Sequence, residues 1–164
     1  MYVAAPRLPK WEALWAARRP LMHTNGLDLA QSLVWPQDLE SHWRDPGLML
    51  SQSCMGPIAA GLKVTVLGTL DFGLPGCPPG FYNSVVVARH KAPLETFAGK
   101  PWARHAETSQ SGNHALLAAV GPHALGEVLE TASHAKSIKA VQAGEAALAA
   151  IDAQTWRVLS RLGQ

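Results

Sequence analysis

One stretch of the sequence combines the residue types that bind small anions: Thr108, Ser109, Gln110, Ser111 and Gly112. The residues that follow it place apolar side chains on one helical face, so the stretch is predicted to begin a helix. The first N–H groups of a helix have no partners within it. Hydroxyl groups beside them, and a glycine that lets a ligand come close, favour a small-anion site. Ordinary capping by serine is the alternative that this stretch alone leaves open.

Polar residues also follow three other predicted strands. They are Ser51, Gln52 and Ser53, then Thr131, Ser133 and His134, and finally Asp152. Ligands of parallel α/β sheets bind at the strand ends, so this repetition indicates a shared site. Each group also has an alternative interpretation without a ligand, in which Ser133 and Asp152 only cap helices and His134 is merely an exposed residue.

The apolar pattern predicts helices and strands that alternate along most of the chain. Predicted strands cover 47–51, 64–67, 84–89, 103–106, 127–131 and 146–151. Predicted helices cover 8–18, which Pro20 should end or kink, 37–44, 55–61, 93–97, 111–120, 133–144 and a last one from residue 152. Residues 72–80 are rich in Gly and Pro and read as a loop. This order predicts an α/β architecture with mainly parallel sheets.

Composition bounds the function classes. The 164 residues are 48% hydrophobic and 16% charged, with a formal net charge of +2. That is a globular composition with enough apolar residues for a core. The sequence has no Lys/Arg run, which argues against nucleic acid as a partner, and no apolar stretch long enough to span a membrane. Its start lacks the pattern of a signal peptide, so read literally the chain is not exported.

Several segments resemble the phosphate/phosphite/phosphonate-type substrate-binding proteins of ABC importers. They are Ser109 to Gly112, Ser133 to Ser137, Ala150 to Asp152, Met1-Tyr2 followed by Pro6, Leu50 to Cys54, and the loop from Pro75 to Ser84. The resemblance covers nearly the whole chain in the right order. It implies a type 2 periplasmic-binding-protein fold, in which two α/β lobes close on a ligand. Such proteins are usually about a third longer, so the first lobe is expected to be incomplete.

The resemblance also implies a domain layout and a set of ligand contacts. Residues 1–82 would form the first lobe, 83–153 the second, and 154–164 the start of the return to the first. Residues 108–112 with Ser133, His134 and Asp152 would bind the ligand from the second lobe. Tyr2 and residues 51–53 would line the opposite wall, with Tyr82 at the hinge. Met55 stands where many relatives have a small or aromatic residue. Location in the periplasm and an ABC permease as partner follow from the same resemblance.

The expected mechanism is capture without catalysis, a cofactor or a metal. Helix N-termini after Ser111 and Ser133 would hold an oxyanion, and His134 would add a donor. Asp152 would accept a hydrogen bond from a protonated ligand oxygen or from a ligand amine, because an acid facing a bare anion is unfavourable. A cytosolic sensor or interaction module built on the same fold is an alternative.

A hydrolase is the rival from another class. Ser111, His134 and Asp152, or Cys54 with a histidine, have the residue types for acyl transfer. No G-x-S-x-G signature surrounds Ser111, and the order Ser, His, Asp is not a familiar one. Cys54 and Cys77 are two inert thiols in a reducing compartment, and a disulfide between them is predicted if the protein is exported.

Overall fold

The computed structural model describes residues 8–161, and its internal contacts divide the chain into two units, up to Ser53 and from Cys54 onward. The predicted ligand contact Tyr2 lies outside the described residues. The predicted lobe boundaries at residues 82 and 153 remain predictions.

The described part of the first unit holds two helices, α1 (Leu8–Thr24) and α2 (Leu39–Trp43). Helix α1 continues through Pro20, so an end at that residue is the wrong prediction. Proline removes its own N–H from the helical ladder and its ring crowds the carbonyl four residues earlier, so it disfavours a helix without always ending it. The side chains of Trp15 and Arg19 donate to the carbonyls of Ala30 and Leu29, at 3.1 and 3.0 Å, and tie this helix to the segment that follows it.

Two predicted strands, 47–51 and 64–67, do not form. At the first, Asp45 makes a turn in which its side chain and its carbonyl accept the N–H groups of Gly47 and Leu48, at 2.8 and 3.0 Å. At the second, the apolar side chains are exposed, and Leu67 retains 78% of its surface. A strand needs a neighbouring strand to bond its backbone and a layer to cover its apolar face, and neither run has one among the described residues.

The second unit contains the sheet. Its elements in chain order are α3 (Met55–Ala59), β1 (Ser84–Ala88), a 3-10 turn (Leu94–Phe97), β2 (Trp102–Arg104), a π-type turn (Gln110–His114), α4 (Ala115–Val120), β3 (Val128–Glu130), α5 (His134–Ala143), β4 (Leu148–Asp152) and α6 (Ala153–Ser160). The order of the elements predicted from residue 84 onward is therefore confirmed, although β2 and β3 are shorter than predicted, the helix predicted at 93–97 is a 3-10 turn and the helix predicted at 111–120 begins as a π-type turn.

The four strands lie in the order β1-β4-β2-β3. Strand β2 runs parallel to both β3 and β4, whereas β1 pairs antiparallel with β4, Ser84 opposite Asp152. The predicted α/β class with a mainly parallel sheet is confirmed. Because β2, β3 and β4 point the same way, their carboxyl ends meet at one edge, which is also where β1 begins.

The core of the second unit forms around β4, whose five residues are all buried. Leu148 and Ala150 of β4 pack with Phe97, Trp102 and Leu116. Alanines in this central strand let the helices approach the sheet closely, and the packing fixes where each strand ends. None of the described helices is long and apolar enough to cross a membrane.

Candidate functional site

Two helix starts meet at the carboxyl edge of the sheet. Ser111 follows β2, and His134 follows β3 as the first residue of α5. The Ser111 Oγ and the His134 Nε2 lie 3.2 Å apart, within hydrogen-bond distance, and each residue is only 8% exposed. The structural alternative, in which His134 is merely an exposed residue, is therefore wrong, because the ring turns inward toward the preceding helix start.

Asp152 ends β4 at the same edge and is 1% exposed. Its neighbour across the sheet, Ser84, donates its hydroxyl to the Ser111 carbonyl at 3.0 Å. Asp152 Oδ1 accepts the N–H of Thr155 at 2.8 Å, so the carboxylate caps α6. The ends of β2, β3 and β4 thus lie near Ser111. Ser84, which the sequence did not indicate, connects the end of β4 to the Ser111 backbone.

Two other predicted contact residues serve as helix caps. Ser109 Oγ accepts the N–H of Gly112 at 2.9 Å, and Ser133 Oγ accepts the N–H of Lys136 at 3.2 Å. A hydroxyl that accepts from its own helix stabilises that helix start. The capping interpretation therefore describes what Ser109 and Ser133 do in this structure.

His105 packs against His134 and was not among the predicted site residues. The two ring centroids lie 4.2 Å apart at an interplanar angle of 59°. Gly112 lies against both rings, because a Cβ at this position would be 2.6 Å from His105 Nδ1 and 3.2 Å from His134 Cε1. The predicted strand 103–106 includes His105, so no local pattern in the sequence assigned this residue to the strand end where the site lies.

Burial keeps both imidazoles uncharged. Burial, with a smaller contribution from the neighbouring His105, lowers the pKa of His134 to about 3. Burial also lowers the pKa of His105. A neutral imidazole donates through one ring nitrogen and accepts through the other. The pair therefore offers hydrogen bonds but no positive charge at neutral pH.

Arg104, a cationic residue close to this site, already pairs with two carboxylates and an amide. Its guanidinium lies 3.2 Å from Glu130 Oε2 and 3.7 Å from Glu107 Oε2, and it donates to Asn113 Oδ1 at 3.3 Å. Asn113, which is 2% exposed, donates its amide to the Glu107 carbonyl at 2.7 Å. This network joins the end of β2 to the π-type turn and so positions Ser111.

Helix α3 and Tyr82 complete the surroundings. A Cβ at Gly56 would collide with the Thr108 carbonyl, so the backbone of α3 lies directly against the predicted stretch. Burial, with smaller contributions from the neighbouring Cys54 and Asp152, raises the pKa of Tyr82 to about 12. Thr108 itself is exposed and Gln110 is half-buried.

The remaining predicted contacts belong to the first unit. Ser51 Oγ lies 3.1 Å from His42 Nε2, and the Gln52 carbonyl accepts the Trp43 indole N–H at 3.0 Å. Ser53 is half-buried in the same segment. In the second unit, no disulfide joins Cys54 to Cys77.

The contact between Ser111 and His134 bears on the hydrolase alternative. Ser111 and His134 have the spacing of a nucleophile and a base. An imidazole whose pKa is about 3, however, is a weak base at neutral pH, and the Gly112 N–H already bonds to Ser109. Among residues 8–161, no group of three His, Cys, Asp or Glu side chains could hold a metal ion.

Two surface grooves, of about 310 and 280 Å³, include none of these residues. No known family model matches the chain, and a search of curated proteins finds no significant match.

Proposed function

We propose that this protein captures a small oxyanion or an organophosphonate, without transforming it, as the substrate-binding component of an ABC-type importer. The observation that carries the proposal is the contact between Ser111 Oγ and His134 Nε2, which joins two helix starts at one sheet edge. The resemblance of these two segments to phosphate- and phosphonate-binding proteins supplies the ligand class. The two-lobed type 2 architecture and a location in the periplasm are part of the same proposal.

The ligand would replace the contact between these side chains. An oxyanion oxygen accepts from the Ser111 hydroxyl and from the His134 N–H, and each of these groups has the right chemistry to donate. The backbone N–H groups of His134 and Ala135, at the start of α5, form no hydrogen bond within residues 8–161. They point along the helix axis, where a negative charge is stabilised.

Asp152 narrows the ligand class. A buried carboxylate repels a fully ionised anion but accepts a hydrogen bond from a protonated oxygen or from an amine. A hydrogen phosphonate or an aminophosphonate satisfies both Asp152 and the neutral donors, whereas sulfate carries no proton at neutral pH. We therefore expect sulfate to bind least well among ligands of similar size.

Isothermal titration with phosphate, phosphite, sulfate, methylphosphonate and aminoethylphosphonate tests the proposal. At least one protonated oxyanion should bind, and Ser111→Ala should weaken it about tenfold through the loss of one hydrogen bond to a charged group. The matched control is Ser109→Ala, whose hydroxyl already caps its own helix and whose loss should leave the affinity within about twofold. Absence of binding by every ligand, or equal affinity in both variants, contradicts the proposal.

A further inference from the structure

Strand β1 lies at the edge of the sheet, paired on one side with β4. The N–H of Ala153 donates to the Asn83 carbonyl at 3.0 Å, which fixes the alternation of the antiparallel ladder. Val85 and Val87 then share their backbone hydrogen bonds with β4, and the N–H and C=O groups of Val86 point away from it. No hydrogen bond within residues 8–161 reaches those outward groups of Val86.

A groove of about 310 Å³ runs along this outer edge. Val85 to Ala88 of β1 line this groove, and Leu94, Phe97 and Trp156 add apolar surface to it. Val86 keeps 38% of its surface exposed. A free edge with apolar side chains beside it accepts an extended peptide, because backbone bonds supply affinity and alternate side chains enter the groove.

The charge of the groove specifies what kind of segment fits. His90 and Lys91 line it and are exposed, Arg89 precedes them, and no acidic residue is among its lining residues. Glu95, on the 3-10 turn, lines the neighbouring groove instead. Opposite charges across an interface fix orientation and register. An occupant should therefore carry acidic residues at the end that lies beside Lys91.

We propose that the outer edge of β1 binds an extended apolar segment of a partner protein, which adds to the sheet as a further strand and places its acidic end beside Lys91. The surface is separate from the candidate ligand site, because that site lies at the Ser84 end of β1 and the basic residues follow the Ala88 end. The proposal therefore does not depend on the proposed function.

Fluorescence anisotropy with a labelled synthetic peptide tests the proposal. The probe alternates Val and Thr and carries two Glu residues at one end, in versions with the acidic end first and last. One version should bind the full chain, and Lys91→Glu should weaken it about fivefold, as expected for loss and reversal of an exposed ion pair. Val86→Pro should abolish binding, because it removes an outward N–H while leaving the β4 ladder intact.

The controls keep the outcome decisive if Val86→Pro fails to fold. A probe with N-methylated backbone amides cannot form the strand ladder and should not bind, and a probe with Lys in place of Glu should bind at least fivefold more weakly than the acidic one. Equal binding of the acidic and basic probes overturns the proposal, as does binding of the N-methylated probe. Sedimentation that shows a dimer of the chain, which an excess of the acidic probe does not dissociate, also overturns the proposal.

Discussion

The helix start after β2 and the helix start after β3 form the candidate site together, and they are built alike in one respect. Each begins with a serine that caps its own helix, Ser109 through the Gly112 N–H and Ser133 through the Lys136 N–H. Each then directs one other side chain toward the opposite start, Ser111 from the first and His134 from the second. Capping and contact are thus divided between different residues.

The two starts differ in backbone geometry. After β3 the chain passes through three residues, among them Ala132 with a φ of 62°, and then forms the regular ten-residue helix α5. After β2 it first makes a π-type turn, Gln110–His114, whose Gly112 lies against two imidazoles. Such turns are rare and frequently mark functional sites. The first start therefore depends on close packing and the second on an ordinary cap, so equivalent substitutions should have unequal effects.

The largest effect is expected for Gly112→Ala. A Cβ would lie 2.6 Å from His105 Nδ1 and 3.2 Å from His134 Cε1, so both rings must move and the Ser111 contact is lost. Overpacking of this kind costs about 2 kcal/mol of folding free energy, and we expect at least tenfold weaker oxyanion binding. Denaturant unfolding and titration calorimetry measure the two effects.

Gly68→Ala is the matched control for that substitution. Nothing lies within 4 Å of a Cβ there, and its backbone is compatible with alanine. Its free energy of unfolding should change by less than about 0.5 kcal/mol. Equal stability of the two variants would show that the first helix start tolerates added volume and would remove the difference between the two starts.

The next effect concerns pH. Burial is the main cause that lowers the pKa of His134 from 6.5 to about 3. Between these two pH values the imidazole is protonated in the unfolded state and neutral in the folded state. Stability contributed by the neutral ring is present above pH 6.5 and is lost as the pH falls. The slope approaches about 1.4 kcal/mol per pH unit for one such group. His134→Asn should therefore reduce the loss of stability between pH 7 and pH 5.

Urea unfolding of both proteins at several pH values measures that slope. The difference between wild type and His134→Asn at each pH removes the contribution of carboxylates that titrate in both. His105→Phe provides a second test, because it keeps a ring beside His134 while removing an imidazole whose pKa burial also lowers. Parallel curves for wild type and His134→Asn would mean that His134 accepts a proton in the folded state.

The helix starts could be predicted because their signals are local. Ser133 and Asp152 precede apolar helical runs, and capping depends on residues only three positions apart. Strand β4 could also be predicted from its run of small apolar residues. Ser111 and His134 could be predicted to lie close together for the same reason. Each follows a predicted strand, and the carboxyl ends of parallel strands lie on the same side of the sheet.

The wrong strand predictions and the missed site contacts both depend on residues that are far apart in the sequence. The runs 47–51 and 64–67 have strand-like residues but no neighbouring strand among the described residues, and only a folded sheet supplies one. The contact of Ser84 with Ser111 arises from the antiparallel pairing of β1 with β4, which the alternation of elements did not indicate. Packing of His105 on His134 joins residues on two different strand ends and has no local signature.

The smallest effect is expected at the cap of the second start. Ser133→Ala removes the acceptor of the Lys136 N–H and should lower the free energy of unfolding by about 1 kcal/mol, whereas Ser133→Asp should restore most of it. Oxyanion affinity should change less than twofold, because the contact to the first start comes from His134. If Ser133→Ala instead weakens binding as strongly as Ser111→Ala while stability is unchanged, the Ser133 hydroxyl faces the ligand, and capping and contact are not divided at the second start.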